Sequence, residues 1–227
     1  MPTSIQPATL KFLKDLAKHN DRDWFNAHKQ AYLSAQQNMI GFVDELIVEM
    51  NKHDDIENVS GKRSLFRIYN DVRFSKDKSP YKARFAFSLS RSSKLRRGGY
   101  YVNLKPGSSS LGCGFFSPNP ADLNRLRVDI DYNYQRWNKI LKSKGIQSNF
   151  VLTGDKVATA PRGFDIKHPA IDLLRHKQFV LRHYYTDAEI LAPGFLKEVN
   201  KTFKAVRPFF DYMSEVLTTN ANGELVV

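Results

Sequence analysis

The hydrophobic residues of this chain change their spacing twice, and that change decides what it can fold into. Up to about residue 51 they recur at helical intervals. Leu10, Leu13 and Leu16 share one side of a short helix over 8–18. Trp24, Phe25, Tyr32, Met39, Phe42, Val43, Leu46, Ile47 and Met50 mark a long helix entered from an Asn20 or Asp21 N-cap. From about 64 to 116 the interval becomes two. Phe66, Ile68, Val72 and Phe74 alternate with Arg67, Tyr69, Asp71 and Arg73. Tyr81, Ala83, Phe85, Phe87 and Leu89 alternate with Lys82, Arg84, Ala86 and Ser88. "GYYVNLKPG" and "SLGCGFF" supply two further strand-like runs separated by Gly and Pro-Gly turns.

Helical spacing returns after Asn119 and Pro120, which suit an N-cap and the first helical position. That helix is expected to reach Gly145, with a break on the way. "FVLTG" reads as a short strand, "PAIDLLRHK" as a short helix and "QFVLRHYY" as a strand. A last long helix over 194–218 should bend at Pro208. The expectation is an α+β fold, a central and mostly antiparallel β-meander packed with an N-terminal helix pair and C-terminal helices. A single domain over 1–227 is expected, helical over 8–51, a meander over 64–116, and helical or mixed over 119–218.

Charge is distributed as unevenly as hydrophobicity. The chain carries a formal net charge of +12, yet residues 62–121 hold thirteen Lys or Arg against only Asp71 and Asp77. The remainder carries twenty-two cations against twenty-one acids, so nearly the whole excess lies in that stretch. A basic surface of this kind implies an anionic partner, a small molecule or a nucleic acid. Acids from elsewhere could instead fold over it, Asp44, Glu45, Glu49, Asp54, Asp55 and Glu57 being the nearest supply. No apolar run approaches the roughly 18 residues of a membrane span, and the first twenty residues lack a signal-peptide pattern. Cys113 is the one cysteine, which excludes an intrachain disulfide and makes the cytoplasm the expected compartment.

If the alternation over 66–89 is that of two paired strands, burying their apolar sides gathers Arg67, Arg73, Lys82 and Arg84 on a common outer face. Like charges opposite one another in a sheet repel, so such a face is suited to an external anion. The connecting turn, "SKDKSP", adds Ser75, Asp77 and Lys78, whose hydroxyl, backbone N–H groups and ammonium could cradle an oxyanion. Asp71, flanked by Arg67 and Arg73, is expected to stay ionised. Gly112 and Gly114 could leave a floor over which a ligand lies, and Tyr69, Tyr101 and Phe116 could offer rings for stacking.

The stretch from Phe66 to Lys82 resembles a widespread family of bacterial and fungal proteins catalogued as a domain of unknown function. Its hallmark, R-x-x-x-D-x-R-F-S-x-D-K-x-P-Y-K, is matched by Arg67, Asp71, Arg73, Phe74, Ser75, Asp77, Lys78, Pro80, Tyr81 and Lys82. "NDRDWFNAHKQAY", "YYVNLKPGSSSLGCGFFSP" and "APRGFDIKHPAIDLLRHKQFV" match as well, so the likeness extends over the whole chain. It implies one α+β domain and no particular reaction, cofactor or partner. It also draws attention to Arg22, Trp24, Arg162, Gly163 and His168.

Other chemistry has little support. Neither a Walker loop nor a dinucleotide fingerprint is present, no cofactor is expected, and His168, His176 and His183 lack metal-ligand spacing. The expected ligand-binding set is Arg67, Arg73, Ser75, Asp77, Lys78, Tyr81, Lys82, Arg84 and Arg162. The leading function is a module that binds a phosphorylated or polyanionic ligand, such as a nucleotide, a sugar phosphate or a nucleic acid. An enzyme acting on a phosphate- or carboxylate-bearing substrate at the same place is an alternative, with Asp71, Tyr81 or His168 moving protons. A structural or interaction protein held by an internal ion-pair network is the other.

Overall fold

A computed structural model describes residues 3–220 and 222–226. Among them the chain runs α1 (Pro7–Lys18), α2 (Arg22–Ala27), α3 (Lys29–Met50), α4 (Gly61–Ser64), β1 (Phe85–Ser90), β2 (Gly99–Leu104) and β3 (Ser109–Phe115). There follow α5 (Pro120–Leu141), α6 (Lys144–Gln147), β4 (Val151–Thr153), α7 (Ile171–Leu174), β5 (Phe179–Tyr185), α8 (Asp187–Leu191), α9 (Phe195–Ala205) and α10 (Arg207–Thr218). The strands form one antiparallel sheet in the order β1-β2-β3-β5-β4, and the fold is α+β. Among the described residues no helix is long and apolar enough to cross a membrane.

The chain divides into two compact units. The first runs to Leu89 and adds Tyr101–Leu111 and Tyr184–Lys201. Its core forms where α1 buries Leu10, Phe12, Leu13 and Leu16 and α3 buries Met39, Phe42, Val43, Leu46, Ile47 and Met50. Asn38, buried between them, is satisfied by the backbone N–H of Gln6, the Thr9 hydroxyl and the Ser4 carbonyl. The long helix expected from Asp21 is interrupted at His28. Asp21 caps α2 by accepting from the Trp24 N–H at 2.8 Å. The ring of His28 then stacks on Trp24 at 4.1 Å and takes the Trp24 carbonyl, breaking the helical run before α3 begins.

The strand expected over 66–74 does not form. Residues 65–84 make only the isolated bridges Leu65↔Phe87 and Tyr69↔Tyr81, and regular pairing starts at Phe85. Side chains capture the backbone groups a ladder would use: Asp71 accepts from the Arg73 N–H, Asp77 accepts from the Ser79 N–H, and Asn70 donates to the Ser79 carbonyl. Ile68 is buried as expected, but Phe66 and Phe74 face solvent.

The second unit comprises Ser90–Tyr100, Gly112–His183 and the chain from Thr202 onward. Asn119 caps α5 as expected, accepting from the Asp122 N–H, and α5 bends at Asn133. The helix expected over 194–218 ends its first part at Ala205, and Pro208 falls in the first turn of α10, where a missing N–H costs nothing. Gly114 accounts for part of the Gly-rich run. At φ +152°, a Cβ there would lie 2.0 Å from the Phe179 carbonyl oxygen on β5. At Gly112 a Cβ would touch the Phe116 ring and the Val180 side chain at 3.4 Å, so protein fills the space over both glycines and they are no ligand floor.

Candidate functional site

The ribbon between α4 and β1 is built around a bulge. At its open end Phe66 N–H donates to the Ala86 carbonyl, and at its loop end Lys82 N–H donates to Ile68 and Asn70 N–H donates to Pro80. From one bridge to the other, Leu65 to Tyr69 advances four residues while Phe87 to Tyr81 spans six. The two extra residues swing Arg84 outward, as bulges commonly re-aim a side chain. Its guanidinium donates to the Tyr101 hydroxyl at 3.0 Å and to Asn103 Oδ1 at 2.9 Å. Both acceptors project from β2 on the side opposite buried Val102 and Leu104.

A cleft of about 280 Å³ opens beside this clamp, lined by Phe66, Arg67, Lys82, Arg84, Ala86 and Tyr101. Three of the six are cations and none is an acid. Lys82 reaches back to the Arg67 carbonyl at 3.3 Å. Partial burial, then the Arg84 and Arg67 charges beside it, lower the affinity of the Lys82 amine for its proton. The Arg67 guanidinium makes no hydrogen bond to any described residue and faces the solvent side. Of the acids that might have covered the ribbon, Asp44 binds the Gly61 N–H, Glu45 the Thr3 N–H and Glu49 the Lys52 ammonium.

The remaining expected residues lie outside this cleft. Arg73 forks onto Asp71 at 2.7 and 3.0 Å, and that contact holds the Asp71 carboxyl below its ordinary range, so Asp71 is an anchor and a poor proton shuttle. Lys78 donates to the Val72 carbonyl at 2.9 Å, and Asp77 accepts from the Ser79 N–H at 2.8 Å. Both therefore shape the loop, while Ser75 stands exposed at its tip. Tyr81 is buried, its ring stacked on Phe25 at 4.0 Å, and its backbone is clamped in both directions by the Asn20 amide. Burial raises the Tyr81 phenol, which removes it as an acid near neutral pH. Arg162 and His168 belong to the second unit. There His168 accepts from the Ala170 N–H and contacts the Asp131 carbonyl, tying its loop to α5.

Three contributors were missed from sequence: Asn20, Asn103 and the exposed ring of Phe66. Asn103 had a visible signal, since it alternates with Val102 and Leu104 in "YYVNL". Asn20 had none, because its partner Tyr81 is sixty-one residues away. Cys113 is fully buried in β3, and burial pushes its thiol well above the ordinary range, which leaves it inert. Among the described residues no group of three or more His, Cys, Asp or Glu could hold a metal ion. Chemically, the cleft can neutralise and orient an anion. Its lining offers no carboxylate or imidazole for general-base work.

A family model described as a conserved hypothetical protein (DUF2461) matches residues 8–212. No curated protein and no solved structure matches the chain.

Proposed function

The chain belongs to the DUF2461 family of conserved hypothetical proteins, and we propose that within it the chain is a binding module for a phosphate-bearing anion held in the Arg67–Lys82–Arg84 cleft. One observation carries this: three cations share a concave lining without an acid among them. Such an arrangement repels itself and is relieved by an anion, whose hydrogen bonds to charged donors are about twice as strong as neutral ones. Arg84 is already oriented by Tyr101 and Asn103, which reduces the ordering needed on binding. At about 280 Å³ the cleft lies just below the range of ligand sites, about 300 to 1,000 Å³, so it suits a phosphoryl group with part of what it is attached to. The absence of a carboxylate or imidazole from the lining favours binding over turnover.

Titration calorimetry with inorganic phosphate, pyrophosphate and mononucleotides tests the proposal. Lys82→Glu, which places an acid inside the cleft, should weaken binding at least ten-fold, whereas Arg73→Ala, outside it, should leave the affinity within two-fold. Equal affinities for wild type and Lys82→Glu, or no binding of any of these anions, would rule the cleft out.

A further inference from the structure

The cleft accounts for Arg67, Lys82 and Arg84 but not for the exposure of the aromatic rings along residues 66–74. Phe66, Tyr69 and Phe74 are 49%, 44% and 96% exposed, on one nine-residue segment. Exposed apolar residues scattered singly are ordinary, but three rings on one short basic segment are not. Phe74 is the extreme case, and the loop that bears it is braced from within. Asn70 holds the Ser79 carbonyl, Asp71 holds Arg73, Lys78 holds the Val72 carbonyl, and Asp77 holds the Ser79 N–H. The Arg73 guanidinium lies 5.9 Å from the centre of the Phe74 ring. This is a fixed display of a bare ring with a cation at its face.

We infer that the ligand is single-stranded nucleic acid, with bases stacking on Phe66, Tyr69 and Phe74 while the Arg67–Lys82–Arg84 cleft holds the sugar-phosphate backbone; the inference rests on the anion-binding function proposed above. Rings interleaved with cations are what single strands need, because every base has a face to stack and every linkage carries a charge. Here the order along the chain is Phe66 then Arg67, Tyr69, Arg73 then Phe74, with Lys76 and Lys78 following. Phe66 also lies 6.1 Å from Tyr101 in the cleft wall, joining the stacking surface to the charged one. A duplex hides its base faces, so these rings would be unused there. An anionic membrane fits less well: the loop tip offers a single bare ring, Phe74, and the basic segment forms no amphipathic helix whose apolar face could enter the interface.

Fluorescence anisotropy with a labelled 12-nucleotide single strand, the same sequence as a duplex, and vesicles of phosphatidylserine and phosphatidylcholine tests this, beside calorimetry with inorganic phosphate. The single strand should bind at least ten-fold more tightly than the duplex. Phe74→Ala should weaken the single strand about five-fold or more, the low end for losing one stacked base, and by at least five times more than it weakens phosphate. If Lys82→Glu abolishes binding but Phe74→Ala costs phosphate and oligonucleotide alike, the stacking role falls and the anion cleft stands. If the wild-type protein binds neither probe, both fall together. Preference for the duplex, or vesicle binding without oligonucleotide binding, overturns the assignment to single strands.

Discussion

Acidification should loosen the second unit at one identifiable residue, His176. Its side chain is 3% exposed, with the ring 5.7 Å from Phe179 and Nδ1 buried without a hydrogen-bond partner. Burial, followed by the Lys156 charge, lowers its pKa to about 4, against opposition from a hydrogen bond at Gln178 and from Asp172. In the unfolded chain the imidazole protonates through about pH 6.5, but in the folded chain it does so only near pH 4. Between those values the unfolded state holds more protons, so stability falls as the pH falls across that window. Taking 6.5 and about 4 as the two pKa values, the loss by pH ~4.5 is roughly 2–3 kcal/mol, a large share of the 5–15 kcal/mol typical of a domain. The carboxylates held low in the native protein, Asp15, Asp71, Asp77 and Asp187, lose their contribution mostly below their ordinary 3.8, so above pH ~4.5 their share is small beside that of His176. The two tryptophans fall one in each unit, Trp24 in the first and Trp137 in the second. Urea denaturation of a Trp24→Phe protein, followed by Trp137 fluorescence, therefore reports on the unit that contains His176. Stability should drop by roughly 2–3 kcal/mol from pH ~7 to ~4.5, and by less than ~1 kcal/mol when His176→Gln is added. Equal drops in the two proteins would show that this imidazole does not control acid stability.

Arg73→Ala should leave the thermal midpoint unchanged within error, because its ion pair with Asp71 is largely exposed; a drop of several degrees would instead favour a structural network centred there. Gly114→Ala should destabilise by ~3 kcal/mol in denaturant titrations, since the new methyl group has to displace the backbone of β5, and a shift below ~0.5 kcal/mol would refute that steric account.

Local signals in this sequence were legible where local chemistry decides the structure. Asn119 and Pro120 announce the start of α5, and the alternation of Tyr101 and Asn103 with Val102 and Leu104 announces β2. A further signal went unread: Thr186 and Glu189 form the capping box that starts α8, and T-x-x-E is visible in the sequence. The ribbon over 65–84 was illegible for a physical reason. Period-two alternation predicts faces only while pairing stays in register, and the two-residue bulge between Lys82 and Ala86 breaks it. The charge pattern was legible in its total but not in its allocation. Arg91, with its side chain 1% exposed, is neutralised by Asp211, and Arg97 by Asp122; both acids are distant in sequence. That part of the basic stretch is structural, and no local reading separates it from Arg67, Lys82 and Arg84.

The separation matters because it divides the densest motif of the chain by what each residue already holds. Between Arg67 and Lys82, Asp71 and Arg73 hold each other, Asp77 holds Ser79, Lys78 holds Val72, and Tyr81 is buried under the Asn20 clamp. These contacts suffice to explain why those residue types stand at those positions. Arg67, Phe74 and Lys82 are different. Removing their charged or aromatic ends would cost the fold little, since the guanidinium of Arg67 and the ring of Phe74 face solvent and the Lys82 ammonium makes one long bond to a carbonyl. The proximity of Arg67 and Lys82 to Arg84 adds repulsion, and the exposed rings of Phe66 and Phe74 add apolar surface, both mildly unfavourable in the protein alone. A ligand that is anionic along one edge and flat along the other would relieve both at once, and this is the ground on which we propose one binding surface rather than two.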